Sequence, residues 1–153
     1  KLILNNNSNF NKDTDLLPYM AARSENITVI KNAYSKKVIL IDRFTDSTIA
    51  YQHFGMGVDL NLIKTLNNFL LKNIKVNFTF LNIVNQKNLQ NRLKQRKSLN
   101  RYDKFNISFY KKVQKGFIRL SKKQKNKYQL VNSNLDINNN EKLILDKIDR
   151  LIK

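Results

Sequence analysis

No cysteine occurs among these 153 residues, so neither a disulfide nor a thiolate metal site is available. A single histidine, His53, likewise argues against a histidine-rich zinc site. Glycine appears three times, at Gly55, Gly57 and Gly116, and none of them is followed by lysine. A phosphate loop of the form G-x-x-x-x-G-K-[ST] therefore cannot be assembled from this sequence. No apolar run approaches the ~18 to 20 residues needed to cross a bilayer, and the amino end lacks a signal-peptide pattern. A cytoplasmic protein without a membrane partner is the expectation. Acidic residues are scarce, 11 against 29 Lys and Arg, giving a formal charge of +18. Such a balance raises nucleic acid or an anionic membrane as partners. The lysines are scattered among asparagines, however, as A/T-rich codon usage also produces, which makes nucleic acid the weaker reading. The run Lys122-Lys123-Gln124-Lys125-Asn126-Lys127 is the best candidate for a true basic patch.

The richest stretch follows an apolar segment, Val38-Ile39-Leu40-Ile41. It reads Asp42-Arg43-Phe44-Thr45-Asp46-Ser47-Thr48-Ile49-Ala50-Tyr51-Gln52. In an open parallel α/β sheet the ligand crevice lies beyond the carboxyl ends of the strands. A carboxylate, a guanidinium, hydroxyls and a phenol at that place suit an anionic ligand. A plain strand-to-helix turn with Asp as a cap is the other reading.

The periodicity predicts a helix in which Leu16, Tyr19, Met20, Arg23, Ile27 and Ile30 recur, capped by Thr14 or Asp15, with Pro18 near its first turn. Val38–Ile41 reads as a strand buried on both faces. A helix is expected over Ser47 to His53, and a second after the Asp59 cap with Leu62, Ile63, Leu66, Phe69 and Leu70 on its apolar stripe. A strand over Val76 to Val84 precedes a helix starting at Asn85. The cationic segment from Arg96 to Arg101 reads as a loop, Ser108 to Ser121 as a helix, and Tyr128 to Val131 as a strand. Asn132 to Asn140 should be a polar loop and Leu143 to Ile152 the last helix. Strands alternating with helices imply an α/β fold with a largely parallel sheet covered on both faces.

The Asp42 to Gln52 phrase resembles the DRY-x-x-S-x-x-AYQ motif of thymidylate kinases. Leu16 to Asn26 is similar to that family's LLLF-x-A-x-R-x-x-H helix, and Gly55-Met56-Gly57-Val58-Asp59 to its G-x-G-hydrophobic-D segment. Residues 92–103 sit where the family keeps its arginine-bearing lid, and Phe109 to Leu120 resembles its F-x-x-x-V-x-x-G-F/Y-x-x-L helix. The resemblance implies a P-loop kinase-like three-layer fold with a parallel sheet, incomplete at the amino end, in one domain over 1–153. It also implies transfer of a phosphoryl group from ATP to dTMP, with Mg²⁺ as cofactor.

By the same resemblance Tyr19 would stack on thymine and Arg23 would hydrogen-bond its O4, where cytosine presents a donor instead. Thr48 and Gln52 would meet the nucleotide, and Tyr51 would crowd a ribose 2′-hydroxyl. Arg43 would clamp the phosphate, since a guanidinium grips two phosphate oxygens at once. Asp42 would organise the metal or simply orient Arg43. Arg92, Arg96 and Arg101 would form the lid, with Arg43, Arg96 and Arg101 stabilising the charge that develops during transfer. Here the lid reads Asn100-Arg101-Tyr102-Asp103 where the family has D-R-x-E. Asn132 and Ser133 match the segment beside the ATP adenine. A homodimer built through helices around the Asp42 and Asp59 regions would complete the assembly.

The missing phosphate loop and the missing R-E-P motif imply the carboxyl-terminal portion of a longer kinase, unstable or aggregation-prone and catalytically inactive by itself. Two other readings stay open. One is a non-catalytic kinase relative serving as an RNA-binding or scaffold protein; the other is a kinase for a different nucleotide.

Overall fold

The computed structural model describes residues 2–152, which divide into two compact units. The first runs through Lys75 and includes Leu99–Leu120; the second comprises Val76–Ser98 and the chain from Ser121 onward.

In the first unit, a 3₁₀ turn over Leu2–Leu4 precedes helix α1, Lys12–Ala33. The helix begins before the expected Thr14 or Asp15 because Asn11 caps it. The Asn11 side chain accepts from the amides of Asp13, at 3.1 Å, and Thr14, at 2.8 Å. Asp13 and Asp15 then sit in the positive first turn. This earlier start moves Pro18 out of the first turn into the helix interior, where its ring nitrogen cannot donate to the Thr14 carbonyl. Leu16, Met20 and Ile27 are its buried apolar residues.

Val38–Ile41 does not form the expected strand. A strand needs a partner ladder, and none is offered to it among the described residues, so Val38 and Leu40 stay 63% and 76% exposed. Helix α2, Thr45–Thr48, runs directly into a π-helical turn over Ile49–Gly55. There the Met56 amide reaches back five residues to the Tyr51 carbonyl at 3.0 Å. Helix α3, Leu60–Leu71, starts at the expected cap, Asp59, whose carboxylate accepts from the Leu62 amide at 2.8 Å. Leu16, Met20, Val58 and Ile63 form one core. Ala50 of the π turn packs with Tyr102, Phe109 and Val113 in a second, to which helix α5, Ile107–Lys123, contributes the last two.

In the second unit, strand β1, Thr79–Ile83, pairs in parallel with β2, Tyr128–Asn132, in the register Thr79↔Tyr128 through Ile83↔Asn132. Leu81 and Val131 are the buried residues of the two strands. Helix α4, Gln86–Lys94, starts at the expected Asn85 cap. Helix α6 spans Ile137–Ile152, six residues longer at its start than its apolar spacing indicates. Asp136 accounts for the extension: its carboxylate accepts from the Asn138 amide at 3.0 Å, holding an asparagine-rich first turn of low helix propensity. No helix among the described residues is long and apolar enough to cross a membrane.

Candidate nucleotide site

The sequence from Phe44 to Gly57 folds as a helix that widens, and the widening decides where its side chains go. An i→i−5 turn inserts about one extra residue into the helical register, so Tyr51 and Gln52 leave the helix at angles that a regular α-helix would not give them. Arg43, just before, adopts a left-handed backbone with φ of 62°. For a residue with a Cβ this costs about 1–2 kcal/mol. The guanidinium carbon of Arg43 then stands 5.1 Å from the Tyr51 ring centroid. Desolvation pulls the Arg43 pKa down. The Tyr51 hydroxyl, Asp42 and Tyr19 outweigh it and leave the guanidinium above its ordinary value.

Helix α1 delivers Tyr19 and Arg23 one turn apart. Arg23 is half-buried and firmly held: one terminal nitrogen donates to Asn67 Oδ1 at 2.6 Å, the other to Thr48 Oγ1 at 2.7 Å and the Phe44 carbonyl at 3.2 Å. Its guanidinium also lies 5.4 Å from the Phe44 ring centroid. Burial lowers its pKa. The Tyr19 ring meets Tyr102 edge to face at 6.3 Å, and Tyr51 meets Tyr102 likewise at 5.8 Å. Burial pushes the Tyr19 hydroxyl above the phenol range, against the opposing pull of Tyr102, Arg43 and Arg101.

Beneath these groups lies Asp15, fully buried. One of its oxygens accepts from Arg101 in an ion pair, and the other accepts from the Tyr102 hydroxyl and from Gln52 Nε2, the latter at 3.2 Å. Gln52 also donates to the Tyr102 hydroxyl at 3.2 Å. These contacts engage Gln52, which the resemblance assigns to the nucleotide, within the protein itself. With 2% of its surface exposed, it holds Asp15 and Tyr102. Arg101 is paired with Asp15 in this structure and lies 5.5 Å from the Phe10 ring centroid.

Of the candidate residues, the first unit thus gathers Tyr19, Arg23, Arg43, Thr48, Tyr51, Gln52 and Arg101. Arg92, Arg96, Asn132 and Ser133 belong to the second unit. There Arg92 donates to the Ser133 carbonyl at 2.6 Å, at the carboxyl end of β2. The Ser133 amide donates to the Ile83 carbonyl at 2.8 Å, so this turn continues the parallel ladder. Asp42 is exposed, and no group of three or more potential metal-ligating side chains gathers among the described residues. One carboxylate is a partial fit for Mg²⁺, which commonly takes one or two protein carboxylates and completes its shell with water and substrate phosphates.

Three residues of the site carry no motif signal strong enough to single them out. Asp15 reads as a helix cap, Tyr102 as the variable position of a lid, and Asn67 as one of many asparagines. A usable signal did exist for two of them. Asp15 lies one turn before Tyr19, directly beside buried Leu16, and Asn67 interrupts the apolar stripe of α3; a polar group on such a face is normally there to bond a neighbour.

Residues 1–144 match the family model described as thymidylate kinase. Thymidylate kinase of Wolbachia pipientis subsp. Culex pipiens is 31% identical over 135 residues, covering 87% of this chain and 64% of the relative. That of the Wolbachia of Brugia malayi is 41% identical over 106 residues, covering 68% of this chain and 50% of the relative. The chain therefore spans about half to two thirds of the length of these relatives. The crystal structure of thymidylate kinase from Ehrlichia chaffeensis superposes with a TM-score of 0.69 at 27% identity, over 96% of this chain and 69% of that one. These matches lend nothing to the RNA-binding or scaffold reading and fix the architecture as the P-loop kinase-like α/β fold. A match over nearly the whole sequence, with relatives above 30% identity and a shared three-dimensional arrangement, makes this chain a member of the thymidylate kinase family.

Proposed function

We propose that this chain supplies the acceptor side of a nucleoside monophosphate kinase that transfers a phosphoryl group from ATP to dTMP. The observation that carries the reading is the gathering, in one compact unit, of two aromatic rings, two guanidiniums and a threonine hydroxyl drawn from α1, the segment just before α2, α2 itself and the π turn. A deoxynucleotide offers a flat base, a sugar edge and a dianionic phosphate, and these groups match the three in kind. Tyr19 takes the base face. Arg23, fixed by Asn67 beside the Thr48 hydroxyl, presents donors to a base carbonyl and disfavours an amino group there. Tyr51 closes the sugar edge against a 2′-hydroxyl, and Arg43 takes the phosphate.

In this reading Arg43 and the lid arginines, Arg92, Arg96 and Arg101, align the reacting groups and balance the negative charge on the phosphoryl oxygens. Asn132 and Ser133 lie beside the adenine of ATP. Asp42 would hold Mg²⁺, which supplies charge neutralisation on the phosphates when bound. The enzyme works in the cytoplasm as a homodimer. Leu62 and Phe69, 43% and 70% exposed two turns apart on α3, support an apolar contact between copies.

These 153 residues contain no G-x-x-x-x-G-K-[ST] loop, so binding rather than turnover is the direct readout. Calorimetric titration of the chain with dTMP, dCMP and the ribonucleotide TMP tests the assignment. The expected order is dTMP tightest, with each competitor weaker by about tenfold, the effect of one mismatched polar contact. Equal affinity for dTMP and dCMP would remove the role given to Arg23.

A further inference from the structure

We infer that Phe109 and Phe117 of α5 are positioning residues for recognition of the sugar, because they form the wall that holds the Tyr51 ring against the sugar edge. The inference rests on the dTMP reading above and deepens it, giving α5 a part in the preference for deoxyribose.

Exclusion by crowding is only as strong as the wall behind the crowding group. A 2′-hydroxyl that meets a ring free to retreat pushes it back and binds; one that meets a ring with no room behind it is rejected. What stands around Tyr51 therefore decides how well it discriminates. Phe109 and Phe117 meet its ring edge to face, at centroid distances of 6.0 and 6.3 Å and interplanar angles of 65° and 77°. Tyr102 adds a third such contact at 5.8 Å, and the Arg43 guanidinium carbon lies 5.1 Å from the Tyr51 centroid. All three ring pairs have the separation and tilt that aromatic quadrupoles favour.

The wall is itself braced. Asn106 fixes the start of α5, its side chain accepting from the Phe109 amide at 2.9 Å. From there Phe109, Val113 and Phe117 recur one turn apart on one stripe of the helix. Phe109 and Val113 are buried in the core around Ala50, and Phe117 packs against that core. Phe105 packs on the Phe109 ring as well, at 4.3 Å. Two glycines bring the helix this close to the turn that carries Tyr51. A Cβ at Gly55 would stand 2.5 Å from the Phe109 ring, and one at Gly116 would stand 2.5 Å from the Phe54 ring. Packing this tight leaves the π turn no slack against α5, so Tyr51 cannot retreat without displacing the helix.

Bracing Tyr51 bears on the sugar and not on the base edge, which Arg23 reads from α1, and this separation provides the test. Phe109→Leu and Phe117→Leu each remove a ring but keep an apolar side chain; Phe117→Tyr keeps the ring. Affinities of the 153-residue chain for dTMP, the ribonucleotide TMP and dCMP are measured by calorimetry, with urea unfolding as the check of fold. Each Leu variant is expected to lower the preference for dTMP over TMP from about tenfold to about threefold, the effect of one lost ring contact, and to leave the preference over dCMP unchanged. Phe117→Tyr should keep both preferences. In a Tyr51→Ala background Phe117→Leu should change neither, since its effect passes through that ring. A folded Leu variant with the full deoxyribose preference, or one in which both preferences fall together, would overturn the role of α5. So would the absence, in the wild-type chain bound to dTMP, of nuclear Overhauser effects from the Tyr51 ring to the rings of Phe109 and Phe117, a measurement that depends on no variant folding. A folded wild-type chain that binds dTMP and TMP alike would instead remove the role given to Tyr51, and the sugar-edge reading with it.

Discussion

Single residues in this site differ in whether they touch a ligand or hold something that does, and Arg23 shows the dependence most clearly. Its guanidinium is taken out of water, which by itself costs free energy, and its pKa is pulled down accordingly. Asn67 and Thr48 compensate, at 2.6 and 2.7 Å. Asn67 is 5% exposed, so little solvent reaches it. Asn67→Leu preserves volume but withdraws the acceptor, leaving part of a half-buried cation unpaired. The expected cost is about 1–3 kcal/mol in a urea unfolding experiment, because the loss falls on a charge-assisted hydrogen bond. Asn67→Asp retains an acceptor and should lose little. A Leu variant as stable as wild type would mean that Arg23 swings out to solvent and is not fixed. At this scale the groups proposed to face the nucleotide were easy to single out, since Tyr19, Arg23, Arg43, Thr48 and Tyr51 stand in recognisable phrases. The groups holding them were not, because Asp15, Asn67 and Tyr102 acquire their meaning only from side chains 37 to 87 positions away in sequence, such as Asp15 from Gln52 and Tyr102.

Between elements, the π turn and α5 are joined by reciprocal close approaches at two glycines. A Cβ at Gly116 of α5 would stand 2.5 to 2.9 Å from Phe54 of the π turn, and one at Gly55 of the turn 2.5 Å from the Phe109 ring. At Gly116 the nearest atoms include the Phe54 Cβ itself, so the neighbour cannot yield by a small ring rotation. Gly116→Ala would normally strengthen a helix by about 1 kcal/mol. Here overpacking at about 1–3 kcal/mol should exceed that gain and lower the urea midpoint. In a Phe54→Ala background the ring atoms at 2.5 and 2.7 Å are gone and only the residue-54 Cβ at 2.9 Å remains, so Gly116→Ala should cost less there than in wild type; a single variant more stable than wild type would refute the interlock. Helices α3, α4 and α5 and strands β1 and β2 were readable from period and caps, because each lays a regular apolar pattern against its own unit. The π turn was not, since one shifted hydrogen bond leaves no mark on composition. Val38–Ile41 was misread for a different reason: its residues have the apolar, β-branched character of a buried strand, but strand structure depends on a partner, and propensity carries no information about whether one is present.

For the molecule as a whole the dominant quantity is charge, +18 over 153 residues. Like charges in a compact chain repel, and unfolding relieves them by moving them apart, so the repulsion subtracts from stability. The imbalance is also local: residues 76–98 carry Lys87, Arg92, Lys94, Arg96 and Lys97 without one acid, and the stretch from Lys122 to Lys127 adds four lysines. Salt shortens the range of that repulsion to about 10 Å at 0.1 M. The thermal midpoint should therefore rise by several degrees as sodium chloride is raised from about 20 to about 300 mM, with chloride chosen because sulfate strengthens apolar burial on its own account. The sign separates two pictures. If favourable ion pairs such as Arg101 with Asp15 governed stability, screening would lower the midpoint; that pair is buried, where salt acts weakly. Replacing Lys122 and Lys125 by Glu should raise the midpoint at low salt and flatten its response. A midpoint that falls with chloride, or a double variant with an unchanged salt slope, would show that self-repulsion is not what limits this chain.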